Sequence, residues 1–260
     1  MSFKRARSEE QVQNRIDEIK RARSEEQVQN RIDEIISATS ELYDSYGYDG
    51  VSFSKISEHT NFSRPNIYKY FKTKEEIFLV ILGNDYKSFV SELIDSFKVN
   101  KIYSLYDITE IWADTLIRHK RLMEIHALLH TILKKNVSDE ALFKLRKDMS
   151  NTQIPLARIV SQLFPNATED EISDFIRDQL VFAFGIYPML NNKDVQTDFI
   201  RDQLVFAFGI YPMLNNKDVQ TDINELKEQN KTIQKFKIVY MSCLYKIMYC
   251  LKNSIDIKNN

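Results

Sequence analysis

Glycine and proline are scarce, with five of each among 260 residues. A β-sandwich or an open doubly wound sheet needs many more turn residues than that, so the scarcity excludes those architectures and points to an all-α protein. Long apolar runs are missing too. The longest, LVFAFGIYPML at 180–190, contains Pro188 and falls short of the roughly 18 residues of a membrane span. The first residues, FKRARSEEQ, are charged, so no secretory signal is expected and the protein is placed in the cytoplasm. Cys243 and Cys250 stand seven apart on a helical pattern, which reads as reduced core residues, not as a disulfide framework or metal site. No glycine-rich phosphate loop, nucleophile elbow or metalloprotease helix occurs, so neither an enzyme nor a cofactor is expected. The formal net charge of −1 identifies no partner.

What is present begins with two perfect repeats. Residues 4–19 read KRARSEEQVQNRIDEI and so do 20–35; residues 174–197 read DFIRDQLVFAFGIYPMLNNKDVQT and so do 198–221. Solenoid repeats share one period and drift in sequence. These differ in length and have not drifted, which marks recent or artificial tandem duplications. Without one copy of each, 220 residues remain, formally neutral. A 16-residue insertion turns a continuous helix by about 160° beyond whole turns. The apolar stripes Val12–Ile16–Ile19 and Val28–Ile32–Ile35 then face nearly opposite ways and cannot share a core. The second copy joins the rest of the first helix directly, so it takes the native role and residues 1–19 form a redundant arm. For the second duplication, either copy can fill the native slot.

Apolar residues recur at helical spacing along most of the chain. A first helix carries Ile32, Ile35, Ile36, Leu42, Tyr43 and Tyr46 and ends near Gly47 and Gly50. Short helices follow over about 52–59 and 63–71. A long one starts at Thr73, whose spacing to Glu76 suits a capping box, and runs past Phe97. Further helices are expected over about 103–119, 120–135, 138–163, 167–190 and 232–252. Ser138 and Thr168 mark two of the starts, and Pro165 separates the helices between them.

The informative stretch is VSFSKISEHTNFSRPNIYKYFKTKEEI at 51–77. Between 51 and 74, Lys55, Arg64, Lys69, Lys72 and Lys74 face a single acid, Glu58, a net +4 suited to phosphates. Two short helices joined by the tight turn His59–Phe62 make a helix-turn-helix, whose second helix fits the major groove of double-stranded DNA. Asn61 tolerates the left-handed conformation such a turn can need, Ser63 can cap the second helix, and Pro65 fits its first turn. Ile67 and Phe71, four apart, should face inward. Arg64, Asn66, Lys69 and Tyr70 then face outward, with Tyr68 at the margin.

From Ile35 through NFSRPNIYKYF to KTKEEI, the sequence resembles the TetR-type (TetR/AcrR) transcriptional regulators. Tyr68, Tyr70, Phe71, Thr73, Lys74 and Glu75 match in register. Ser57 stands where the family usually has Ala, and Asn61 where it often has Gly; neither spoils the fold. FGIYPMLNNKDVQTD looks like the end of the penultimate helix in many such regulators. The resemblance implies a three-helix helix-turn-helix head over 20–72, a connecting helix over 73–97, and a larger effector-binding and dimerisation domain over 98–260. It implies that Ser52, Tyr68 and Lys74 hold phosphates. Arg64, Pro65, Asn66 and Tyr70 would meet base edges, and Lys69 would serve either. Ser63 is counted among the contacting residues.

The resemblance further implies a homodimer built on the last two native helices, a pseudo-palindromic operator, and a small-molecule effector. Repression is the usual outcome in the family and activation the other. Trp112, Met123, His126, His130, Phe143, Phe184 and Tyr187 are candidates to line the effector cavity, although aromatics at helical spacing are core residues first. His126 and His130 have a spacing that suits a metal, but no carboxylate or cysteine falls at a matching position, so no metal is expected. The alternative of another class is a dimeric DNA-binding or architectural protein that needs no effector, marked by a filled core.

Overall fold

A computed structural model describes residues 25–98, 101–191 and 232–252. The arm at 1–19 and the second copy at 198–221 lie outside the described residues. Those described are helical with no strand, as the scarcity of glycine and proline predicts. None of their helices is long and apolar enough to cross a membrane.

The chain divides into two compact units, Met1–Ile81 and Leu82–Asn260. In the first, helix α1 covers 25–46. Its apolar stripe buries Ile35, Ala38 and Leu42, while Val28 is 42 % exposed. The stripe that reaches the core is therefore carried by the C-terminal part of the second 16-residue copy and the residues after it. Gly47 ends α1 with φ +68°, and its N–H donates to Tyr43 O at 2.8 Å. That left-handed step is cheap only for glycine. Helix α2 is Phe53–Glu58, α3 is Arg64–Ile67, and α4 is Lys74–Ser96. Val51, Ile56, Ile67, Phe71, Ile77 and Phe78 close the core of this unit.

The second unit continues along α4 from Leu82. Helix α5, Leu105–Arg118, starts from a full capping box between Ser104 and Asp107. Helix α6 is Lys120–Thr131, and the pattern expected to run to 135 tightens into a 3₁₀ turn at Leu133–Lys135. Helix α7 is Asp139–Leu163, capped by Ser138 and carrying Pro155 in its interior. Helix α8 is Glu169–Asn191, and Thr168 and Glu171 exchange the reciprocal hydrogen bonds of a capping box ahead of it. Helix α9, Thr232–Lys252, packs against α8 and α5. The C-terminal part of α8 is built from the first 24-residue copy. Cys243 is buried in α9.

Candidate nucleic-acid interface

The helix-turn-helix is assembled by short-range caps and longer-range braces. Ser52 is the N-cap of α2 and its Oγ accepts the Lys55 N–H at 3.3 Å. Phe53 meets Tyr68 edge to face at 4.7 Å, which ties the start of α2 to the end of α3. In the turn, Thr60 Oγ1 donates to Ile56 O at 2.9 Å, and the Asn61 N–H donates to Glu34 Oε1 of α1 at 3.1 Å.

Helix α3 is shorter than the nine residues its pattern suggests. Its α-helical part is Arg64–Ile67, after which the Lys69 and Tyr70 amides bond three residues back, to Asn66 and Ile67. Ser63 occupies the N-cap position but makes no side-chain cap hydrogen bond, a correction to its expected role. Its backbone carbonyl instead accepts from the Asn66 and Ile67 amides. Pro65 falls in the first turn, where its missing N–H costs nothing. Ile67 is wholly buried and Phe71 nearly so. With those two anchored, Arg64, Pro65, Tyr68 and Lys69 are exposed, and Asn66 and Tyr70 are half-buried. Six of the expected contact residues thus share one accessible segment.

Lys74 is placed differently from a free phosphate ligand. Its ammonium donates to Tyr48 O and Val51 O, each at 3.1 Å, and lies 3.9 Å from the Tyr48 ring centroid. The Tyr48 hydroxyl donates to Glu75 Oε1, and burial followed by that carboxylate pushes the phenol far above its usual range. Lys74 therefore pins the loop that leads to Ser52 onto the start of α4.

Five of the seven expected cavity residues, Trp112, Met123, His126, Phe184 and Tyr187, lie on α5, α6 and α8. The His126 ring stacks on Phe184 at 3.7 Å, and Tyr187 packs edge to face on Phe236 and donates to Glu124 at 3.4 Å. Trp112 and Met123 are wholly buried. Trp112 donates from Nε1 to Gln179 Oε1 at 3.2 Å, and the same oxygen accepts from the Tyr240 hydroxyl. Gln179 spends its amide on Ile176 O at 3.0 Å. Burial drives the Tyr240 phenol well above its ordinary range. Phe143 is the exception: it is 68 % exposed, because Leu142 and Leu145 take the inward face of α7. The side chain of His130 lies outside the described residues.

Two clefts open elsewhere on this unit. One of about 220 Å³ is lined by Tyr103, Leu105, Phe164, Pro165 and Leu251 among others. The other, about 630 Å³, runs between α7 and α8 past Gln153, Arg158 and Ile172. None of the seven lines either cleft.

Sequence reasoning missed Glu34, Arg31, Tyr48, Gln179 and Tyr240. Their partners are far away in sequence, and no spacing rule joins them.

Residues 35–81 match the family model described as bacterial regulatory proteins, tetR family. Residues 84–211 match the model described as tetracyclin repressor-like, C-terminal domain. No curated protein matches the chain. A helix-turn-helix with an outward basic and aromatic α3, matched by the family's DNA-binding model and followed by a match to its C-terminal domain, makes this chain a member of the TetR family of DNA-binding transcriptional regulators.

Proposed function

We propose that the chain is a repressor that binds a pseudo-palindromic operator as a homodimer and leaves it when a small molecule binds the larger unit. The observation that carries this reading is α3. Ile67 is locked in the core while Arg64, Pro65, Asn66, Tyr68, Lys69 and Tyr70 stand at the surface. Arg64 has the reach and fork to pair with guanine O6 and N7, and Pro65 the shape to touch a thymine methyl. Ser52, Tyr68 and Lys74 supply phosphate contacts that set register, and Lys69 serves either bases or backbone. Residues 20–72 act as the reading head, 73–97 as the connecting helix and 98–260 as the sensing and dimerising body. A two-fold dimer presents two copies of α3 to half-sites about one DNA turn apart. An effector releases DNA only by its differential affinity for the two states.

The test is binding of Arg64→Ala and Tyr68→Ala chains to a duplex selected with the unaltered protein. Loss of affinity supports the reading; unchanged affinity and salt dependence in both variants defeats it.

A second reading, a dimeric regulator that needs no effector, draws on the Trp112–Gln179–Tyr240 contact. There the Trp112 N–H and the Tyr240 hydroxyl both donate to Gln179 Oε1 and the Gln179 amide donates to Ile176 O, so these buried groups find partners within the protein. A metabolite screen by thermal shift, with release of bound DNA as its second readout, separates the two.

A further inference from the structure

Helix α1 touches the reading surface at two points. Glu34 holds the Asn61 amide in the turn before α3. One helical turn earlier, Arg31 Nη1 donates to the Tyr70 hydroxyl oxygen at 3.3 Å, at the far end of the α3 segment. Arg31 is exposed and Tyr70 half-buried, so the pair sits at the surface that faces DNA in the proposed complex.

The direction of that bond has a chemical consequence. A free phenol can donate or accept, and so does not distinguish an acceptor edge from an amino group. Once its oxygen accepts from a guanidinium, its hydrogen is left to donate, and the cation polarises the O–H toward donation. In the major groove, purine N7, guanine O6 and thymine O4 accept, whereas adenine N6 and cytosine N4 donate. Glu34 reinforces the arrangement by fixing the turn from which α3 departs.

We propose that Arg31 is a positioning residue for base readout: its hydrogen bond commits Tyr70 to donate, and so sets a preference for an acceptor edge at one position of each half-site. The inference rests on the reading that α3 enters the major groove.

The experiment selects a site from randomised duplex DNA with the full chain. Affinities for that site and its single-base variants are then titrated at several salt concentrations. The chains compared are the unaltered protein, Tyr70→Phe, Arg31→Met, the double variant and Arg31→Lys, with urea midpoints as a folding control. Tyr70→Phe and Arg31→Met should flatten the preference at the same position, by about 2- to 12-fold, the worth of one hydrogen bond. The double variant should be no flatter than Tyr70→Phe, and Arg31→Lys, which keeps a charged donor, should recover part of the preference.

If Arg31→Met instead weakens all variants equally and lowers the salt slope by about one, Arg31 is a phosphate contact and the inference falls. It also falls if Arg31→Met flattens the preference as much in the Tyr70→Phe background as in the unaltered one. A selected site unaffected by Arg31→Met overturns this inference alone. Failure to enrich any site overturns it together with the function proposed above.

Discussion

Lys74 and Tyr48 are joined twice over: the ammonium donates to the Tyr48 carbonyl and lies against the face of its ring. The Tyr48 hydroxyl returns to Glu75 beside it, so the start of α4 and the loop after α1 hold each other. An ammonium has three donors and the two carbonyls use two, so in the proposed complex the third, beside the Tyr48 ring, serves a phosphate. Lys74→Met should therefore cost about 1–2 kcal/mol of stability and also lower the salt slope of DNA binding by about 0.9. Urea unfolding and salt-dependent anisotropy read the two effects separately. A lowered slope with an unchanged urea midpoint would mean that the brace carries no stability.

Gly47 and Gly50 sit in the same loop for different reasons. Gly47 has φ +68° with open space around it, so Gly47→Ala should cost about 1–2 kcal/mol from backbone strain alone. At Gly50 an added Cβ would overlap Tyr46 Cβ and come within 2.7 Å of the Tyr46 carbonyl oxygen, neither of which is the end of a flexible side chain. Gly50→Ala should cost more, above about 2 kcal/mol, and loosen the approach to Ser52. Chemical denaturation of the two variants side by side checks the order.

Much of this fold was legible because its signals are local. The caps at Ser138 and Thr168 each bond three residues on. The buried Ile67 and Phe71 are one turn apart. The contacts that spacing could not reveal are distant: Arg31 to Tyr70 spans 39 residues, Lys74 to Tyr48 spans 26, and Trp112 to Gln179 spans 67. Lys74 illustrates the limit, since its place at a helix start marks it for anions while only the folded loop shows the carbonyls it also serves. Phe143 illustrates another, since an aromatic at helical spacing reads as interior until the phase of its helix is known.

The Trp112–Gln179–Tyr240 contact predicts an asymmetry between two substitutions. Tyr240→Phe removes one donor and leaves Gln179 Oε1 paired with Trp112, so it should cost about 1 kcal/mol. Gln179→Leu strands the Trp112 N–H and the Tyr240 O–H together in the core, and should cost at least about 2 kcal/mol. Equal costs in urea unfolding would mean that the glutamine is not the shared acceptor.

Glu92 connects α4 to the corner between α5 and α6. It bonds Arg118 Nε at 2.6 Å and His119 Nε2 at 2.7 Å. Arg118 foremost, then His119, holds its carboxyl below the ordinary 4.5. A carboxylate depressed in the folded state contributes stability above its unfolded value and loses it as pH falls through the folded one. The stability of the unaltered protein should therefore fall more steeply below about pH 4.5 than that of Glu92→Gln. Parallel pH–stability curves would assign the acid sensitivity to other carboxylates.

The final prediction concerns the second duplication. Cutting out either 174–197 or 198–221 yields the same 236-residue chain, because the copies are identical and adjacent. In the described fold the first copy already supplies the end of α8, with Ile176, Leu180, Ala183 and Phe184 buried and α9 packed alongside. That helix holds one slot for this segment, and a second identical apolar segment favours misassociation or exchange of segments between chains. The shortened chain should run as a compact dimer on size exclusion with light scattering, and keep its unfolding midpoint. The 260-residue chain should show a smaller dimer fraction or concentration-dependent larger species. A full-length chain that dimerises as tightly as the shortened one would show that the second copy has found a packed place.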